Sequence, residues 1–274
     1  MAREQGLGLL RVHRKPDEES IEAVIFDMDG VVTQSMQAHF AAWKDVFDAF
    51  LAERARQRGE RLAPFSREDY FAHVDGVRRY EGVRRFLASR DIELPEGTPD
   101  SLDPDTVYGL GNRKNQRFHA WLEHNKVPTY EDALGLIQAL KRRGIKVGVF
   151  SASRNAERVL ISAGVMDLFD AKVDGNDAEK LSLPPKPDPA LLLEAARRLG
   201  TAPSRTVVVE DAVSGVKAGA AAGFRLVIGI DREPECQDSH ELALRTGGAD
   251  IVTHDLGDLL SLDWLAGRGT ETTQ

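Results

Sequence analysis

The amino-acid sequence predicts an α/β protein: a doubly wound parallel sheet with an inserted, all-helical cap domain. From residue 130 onward, short apolar segments alternate with helical patterns, which is typical of parallel sheets built from strand–helix–strand units. Between the first strand and this alternation, we find helical patterns and no convincing strand. We expect an N-terminal arm at 1–20, a core domain at 21–34 and 129–262, a cap at 35–128 and a tail at 263–274.

Each element follows from a local pattern. Residues 22–26 are short and mostly apolar, as expected of a buried strand. The longest predicted helix lacks proline and glycine and repeats Phe40, Trp43 and Phe47 at helical spacing. The predicted helices are 35–58, 69–90, 111–125, 131–143, 155–163, 189–199 and 213–222. The other predicted strands are 146–150, 171–173, 206–209, 226–228 and 251–252.

Composition limits the classes of partner. The 274 residues carry a net charge of -8, which argues against nucleic acid or an anionic membrane as a partner. An anionic small molecule remains possible, because local cations can outweigh the net charge. The single cysteine, Cys236, cannot form an internal disulfide. We see no signal peptide and no apolar run near the ~20 residues of a membrane helix. We therefore expect a cytoplasmic monomer.

Two carboxylates, Asp27 and Asp29, leave the first predicted strand and precede Gly30. Open α/β sheets bind ligands at the carboxyl ends of their strands. Two nearby carboxylates repel each other, so they favour a cation or a shared proton between them. One acid suits a nucleophile and the other a proton carrier, with a divalent metal screening their charge. A calcium loop does not fit, because Val31 and Ala38 occupy two of its ligand positions.

Three further polar segments lie near the ends of predicted strands. Residues 151–155, Ser-Ala-Ser-Arg-Asn, combine hydroxyls with a helix N-terminus and suit an anion, although Ser153 could equally be an ordinary helix cap. Lys186, in Lys-Pro-Asp-Pro, places a charge near a strand end, although alone it is better explained as a surface loop. Glu210 and Asp211 end an apolar strand, which favours a metal-facing role.

Together these segments can converge on one edge of the sheet. The four carboxylates, Asp27, Asp29, Glu210 and Asp211, are hard oxygen ligands of the kind that Mg²⁺ prefers. Ser151 and Lys186 add phosphate-binding groups. The combination indicates phosphoryl transfer through an aspartyl-phosphate.

The order of these four motifs, at 26–33, 151–155, 186–189 and 208–219, resembles that of the haloacid dehalogenase superfamily. The resemblance covers roughly residues 21–255 and implies a Rossmann-like core with a helical cap. Three cap and hinge segments also resemble the beta-phosphoglucomutase-like subgroup: the stretch from Thr33 to Lys44, Gly82-Val83-Arg84-Arg85, and Arg113-Lys114-Asn115. Gln34-Ser35 departs from the Asp-Thr that this subgroup often has, and the cap is longer than we expect.

The resemblance implies a role for each matching residue. Asp27 would be the nucleophile, and Asp29 the general acid/base whose carbonyl also reaches Mg²⁺, with Glu210 and Asp211 completing the metal site. The implied phosphate- and substrate-binding residues are Ser151, Ala152 and Lys186 for the transferring phosphoryl group; Ser153, Arg154 and Asn155 with Arg84 or Arg85 for a distal phosphate; and Ser35, His39, Trp43, Gly82 and Lys114 from the hinge and cap.

Four of these cap residues have a plainer alternative. Without the resemblance, His39 and Trp43 fit a packed helix face, and Arg85 and Lys114 fit a solvated surface.

The number of anion sites separates the candidate activities. A phosphatase needs one phosphate site and a water, whereas a mutase that works through a bisphosphate needs two sites. We expect a mutase that interconverts β-glucose 1-phosphate and glucose 6-phosphate, with a sugar-phosphate phosphatase on the same residues as the alternative. A non-catalytic sensor and a dehalogenase are less favoured. All acids needed for turnover are present, and dehalogenation does not use the second acid.

Overall fold

The computed structural model describes residues 20–232 and 237–261, and the structural statements below refer to these residues. The arm predicted at 1–20 lies outside this part of the chain except for Ser20. Cys236 and the tail predicted at 263–274 also lie outside it.

Six parallel strands form one sheet in the order β3-β2-β1-β4-β5-β6. Their bounds are Ala23–Asp27 for β1, Lys146–Phe150 for β2, Ala171–Val173 for β3, Thr206–Glu210 for β4, Leu226–Ile230 for β5 and Ile251–Thr253 for β6. The order runs outward in both directions from β1, as in doubly wound folds, so the predicted fold class is confirmed. Because the strand order reverses beside β1, a ligand crevice is expected at its carboxyl end.

Helices cover both faces of the sheet. They are α5 (Glu131–Arg142), α6 (Ala156–Ala163), α7 (Gly175–Lys180), α8 (Ala190–Leu199), α9 (Val213–Ala221) and α10 (Gln237–Gly247). Successive β1 side chains alternate between two apolar cores, with Val24 and Phe26 in one core and Ala23 and Ile25 in the other. A strand buried on both faces needs this continuous apolar sequence, which is the pattern that predicted it.

The inserted segment contains helices α1 (Met36–Arg58), α2 (Arg67–Asp69), α3 (Arg79–Ser89) and α4 (Val107–His124). It has an apolar core of its own, in which the ring centroids of Phe47 and Phe86 lie 4.2 Å apart. The all-helical cap is therefore confirmed, whereas its predicted boundaries stay predictions. No described helix is both long enough and apolar enough to span a membrane.

The single helix predicted at 69–90 is wrong. Helix α2 continues as a π-helical turn, Tyr70–Val74, and the chain then turns before α3 begins. Gly76 has φ +63°, a left-handed conformation that interrupts a helix and that glycine adopts without strain. The apolar spacing continues across this break, which explains why the sequence pattern did not reveal it.

Two adjacent chain segments join the cap to the core. The Gln34 N–H donates to the Pro128 carbonyl (2.9 Å), and the Tyr130 N–H donates to the Val32 carbonyl (3.1 Å). Thr33 and Thr129 form an antiparallel bridge between them. This pairing sets the start of α1 beside the loop that follows β1, so cap residues can reach the carboxyl edge of the sheet.

Candidate active site

Three carboxylates meet at the carboxyl ends of β1 and β4. The register pairs Phe26 with Val209, so Asp27 and Glu210 come next on neighbouring strands. One oxygen from each of Asp27, Glu210 and Asp211 lies within 4.8 Å of the others. Asp27 and Glu210 are buried, and this burial raises the pKa of Asp27 well above its usual value.

Lys186 is the cation inside this cluster. Its Nζ donates a 2.6 Å hydrogen bond to Asp27 Oδ1 and also contacts Glu210 Oε1. Burial lowers the pKa of Lys186, but the two carboxylates outweigh that effect and the net pKa is raised, so the ammonium stays charged. One ammonium faces three carboxylates, which leaves an excess of negative charge. A hard divalent cation fits this donor set.

Two glycines allow the carboxylates to approach the backbone. A Cβ atom on Gly30 would lie 1.8 Å from Asp211 Oδ2, and a Cβ atom on Gly215 would lie 1.8 Å from Glu210 Oε1. Gly30 also has φ +83°, which disfavours any L-residue there. Both glycines belong to the predicted motifs at 26–33 and 208–219, but the sequence alone does not show that they make space for these carboxylates.

The Asp29 carboxylate is not part of that cluster. It accepts hydrogen bonds from Ser35 Oγ at the hinge and from Ser151 Oγ (3.4 Å), and His39 Nε2 lies 4.0 Å from it. Desolvation raises the pKa of Asp29, although the Ser35 hydrogen bond works against it. A carboxyl group with a raised pKa is suited to give and take a proton.

Half-buried His39 and buried Lys114 form a pair in the cap. Lys114 Nζ lies 2.7 Å from His39 Nδ1 and 4.7 Å from the ring centroid of Phe118. Burial lowers the pKa of Lys114 to about 7, and the charge on Arg79 adds to this effect. Burial also lowers the pKa of His39 well below its usual value. Trp43 is buried in the cap core, where its ring stacks on Phe47 with centroids 4.9 Å apart.

Residues 151–155 form a loop held by its own hydroxyl groups. The Ser153 N–H donates to Ser151 Oγ, and the Asn155 N–H donates to Ser153 Oγ, both at 3.1 Å. Asn155, and not Ser153, is the N-cap residue of α6, so the Ser153 hydroxyl orders the loop and does not cap the helix. Ala152 is half-buried, and Arg154 pairs with Glu179 at 2.7 Å.

Arg84 and Arg85, expected near a distal phosphate, form ion pairs with glutamates at the surface of the cap. Arg84 pairs with Glu96 at 2.7 Å and Arg85 with Glu81 at 3.1 Å, and the two arginine side chains are 40% and 52% exposed. Gly82 is buried against Val74.

Arg79 lies at the cap–core junction instead. Its guanidinium donates to Asn115 Oδ1 (2.8 Å), which also accepts from Asn155 Nδ2 (2.8 Å). Arg84 and Arg85 are roughly one and a half turns further along α3, on other faces of the helix. Arg79 was not among the predicted site residues, although the sequence carries a signal: Gly-Val-Arg-Arg occurs twice, at 76–79 and at 82–85.

Comparison with known proteins gives consistent matches. Residues 21–223 match the family described as haloacid dehalogenase-like hydrolase. The chain is 42% identical over 246 residues to a beta-phosphoglucomutase of Mycobacterium bovis, covering 88% of this chain and 92% of that one. It is 29% identical over 240 residues to the beta-phosphoglucomutase of Bacillus subtilis, covering 87% and 92%.

Solved structures match over most of their length. CbbY from Rhodobacter sphaeroides in complex with phosphate aligns with a TM-score of 0.67 and 25% identity, covering 90% of this chain and 99% of that one. A beta-phosphoglucomutase from Clostridium difficile aligns with a TM-score of 0.66 and 23% identity, covering 87% and 93%. The second likeness supports the fold alone.

Gly30→Ala is expected to lower the affinity for Mg²⁺ about 10- to 100-fold, because the new Cβ displaces the Asp211 carboxylate. Isothermal titration calorimetry measures this affinity. Gly223→Ala is the matched control: Gly223 also has a positive φ (+68°), but nothing lies within 4 Å of a Cβ placed there. Equal affinities for the two variants would contradict the proposed packing of Gly30 against Asp211.

Lys114 is expected to make stability depend on pH. Its pKa is about 7 in the folded protein and about 10.4 when unfolded. Between these values the unfolded chain binds more protons, so the free energy of unfolding rises with pH by at most about 1.4 kcal/mol per unit. Lys114→Met removes this dependence. Urea unfolding at pH 7 and pH 9 should show the wild type gaining stability relative to the variant.

The exposed Lys217→Met substitution is the control for that experiment. Unfolding free energies that change in parallel with pH in the wild type and in Lys114→Met would contradict the lowered pKa of Lys114.

Proposed function

The chain belongs to the haloacid dehalogenase-like hydrolase family. We propose that it is a Mg²⁺-dependent phosphomutase that interconverts β-glucose 1-phosphate and glucose 6-phosphate. The observation that carries the proposal is the presence of two polar sites. The carboxylate–lysine cluster around Asp27 suits phosphoryl transfer, and a second site, formed by Arg79, Asn115 and Asn155, lies where the cap meets the core. The relatives named beta-phosphoglucomutase support the same activity.

Asp27 is the proposed nucleophile. In the first half of the reaction, the sugar hydroxyl attacks the phosphorus of phospho-Asp27, the bond between phosphorus and the aspartyl oxygen breaks, and the hydroxyl proton passes to Asp29. A sugar bisphosphate results. In the second half, the carboxylate of Asp27 attacks the other phosphate, and Asp29 returns the proton to the departing sugar oxygen.

Lys186 and the loop after β2 hold the transferring phosphoryl group in this proposal. The Lys186 ammonium lies 2.6 Å from Asp27, and Ser151 lies at the same strand edge within reach of Asp29. When bound by Asp27, Glu210 and Asp211, with the carbonyl of Asp29, Mg²⁺ supplies positive charge against the phosphoryl oxygens. Hydroxyl, backbone N–H and ammonium donors then stabilise the charge that develops on these oxygens.

Asp29 serves as the proton carrier. Its carboxyl group faces Ser35, Ser151 and His39 rather than the metal-ligand cluster. Desolvation raises its pKa, which brings the protonated form closer to neutral pH. Ser35 and His39 belong to the hinge and to α1, so cap position controls the surroundings of this acid.

Arg79 is the proposed cationic group for the distal phosphate. A bisphosphate that must present its two ends in turn needs a second anion site, because one phosphate has to be held while the other reacts. Arg79, with Asn155 and the backbone of the loop after β2, provides donors suited to this. Arg79 takes the distal-phosphate role that was expected of Arg84 or Arg85, because both of these pair with glutamates at the surface.

Product analysis tests the proposal. We expect the protein, given Mg²⁺, β-glucose 1-phosphate and a trace of acetyl phosphate, to produce glucose 6-phosphate without stoichiometric free phosphate. Asp27→Asn should abolish this conversion while the circular dichroism spectrum stays unchanged. Stoichiometric release of free phosphate would contradict the mutase and support the sugar-phosphate phosphatase on the same residues.

The two Gly-Val-Arg-Arg copies allow a matched test of which arginine binds the distal phosphate. Arg79→Ala is expected to lower kcat/KM for glucose 6-phosphate formation by roughly 10- to 100-fold, the effect of losing a charged hydrogen bond to phosphate. Arg85→Ala should stay within about twofold of wild type, since its partner is the exposed Glu81. A larger loss in Arg85→Ala than in Arg79→Ala would restore the second copy as the distal site.

A further inference from the structure

His119 joins the cap to the loop that follows β2. Its Nε2 atom lies 2.8 Å from Asn155 Oδ1. His119 stands four residues after Asn115 on α4, so the two side chains share one face of that helix. Both contact the same side-chain amide: Asn115 meets its nitrogen and His119 meets its oxygen. The reaction proposed above uses Asn155 but gives His119 no part.

Arg79 fixes the direction of every hydrogen bond from its guanidinium through Asn115 and Asn155 to His119. The Arg79 guanidinium can only donate, so the Asn115 atom that it contacts is an oxygen. The Asn155 atom that faces the same oxygen must then be its NH₂ group. The remaining Asn155 atom is an oxygen, and His119 Nε2 must donate to it. His119 therefore carries its proton on Nε2 and fixes which way the Asn155 amide points.

The same group of bonds continues into the proposed phosphate-binding loop. The Asn155 N–H donates to Ser153 Oγ, and the Ser153 N–H donates to Ser151 Oγ. Asn155 is only 7% exposed, so its amide has little access to water if a partner is lost. An unpaired buried oxygen is costly, which makes the amide sensitive to removal of His119.

We propose that His119 is a positioning residue: it orients the Asn155 amide and couples the cap to residues 151–155. This inference rests on the proposed function, because it takes Asn155 and that loop to bind the distal phosphate of a sugar phosphate. His119 does not touch the reacting groups. It acts on the one end of the substrate that the cap must hold while Asp27 reacts with the other.

Three variants separate positioning from general stability. His119→Leu removes the donor. His119→Gln restores a donor, because a glutamine Nε2 can reach about as far as a histidine Nε2. His124→Leu is the control on the same helix, since His124 Nδ1 contacts the Ala120 carbonyl of its own helix at 2.9 Å.

Two reactions are measured in each variant. One is steady-state turnover of β-glucose 1-phosphate, counting both glucose 6-phosphate and free phosphate. The other is phosphorylation of Asp27 by acetyl phosphate, which carries neither a sugar nor a distal anion. If the wild type rejects β-glucose 1-phosphate, the first assay uses whichever hexose phosphate of a panel it accepts. Such rejection contradicts the proposed function and leaves the test of His119 intact.

We expect His119→Leu to lower kcat/KM for the sugar phosphate about tenfold, the cost of one buried hydrogen bond. Phosphorylation by acetyl phosphate should change less than about twofold, and His119→Gln should recover most of the loss. His124→Leu should match the wild type. An unchanged His119→Leu, an equal loss in both reactions, or no recovery with glutamine would each overturn the positioning role.

Discussion

The contacts of Lys186 with Asp27 and Glu210 are the interaction on which the rest of the site depends. Buried carboxylates without partners are strongly destabilising, and burial raises the pKa of Asp27 against the ionised form that a nucleophile needs. Lys186 opposes this effect from 2.6 Å away. One ammonium does not balance three acids, so this arrangement also favours a divalent cation, whose charge would further favour the ionised form of Asp27. Gly30 and Gly215 make the arrangement possible by leaving space for Asp211 and Glu210.

The hinge places cap residues against the carboxyl edge of the sheet. Because the cap enters and leaves through paired segments next to β1, Ser35 and His39 lie over Asp29, while α4 lies over the loop after β2. In the proposed reaction, the core supplies the metal ligands and the nucleophile, and the cap supplies groups that hold the proton carrier and the far end of the substrate. A mutase depends on this division, since its intermediate must turn while the nucleophile stays in place.

The sequence predicted most of the core and less of the cap, for physical reasons. Strands β2 and β3 have the bounds expected, because a buried parallel strand is a short apolar run flanked by polar or turn residues. Helices α7 and α10 were missed: α7 is mostly polar, so it has no apolar period to detect. The carboxylates, Ser151 and Lys186 could be found from motifs near strand ends. The choice between two identical Gly-Val-Arg-Arg copies, and the part played by His119, depend on tertiary contacts that no local pattern encodes.

Trapping of the phosphorylated intermediate would identify the nucleophile. The protein is mixed with Mg²⁺ and acetyl phosphate, quenched in acid and digested, and the peptides are analysed by mass spectrometry. We predict one phosphorylated peptide, containing Asp27, that is lost in Asp27→Asn and strongly reduced in Lys186→Met. Phosphorylation at another residue, or equal labelling of Asp27→Asn and the wild type, would contradict it.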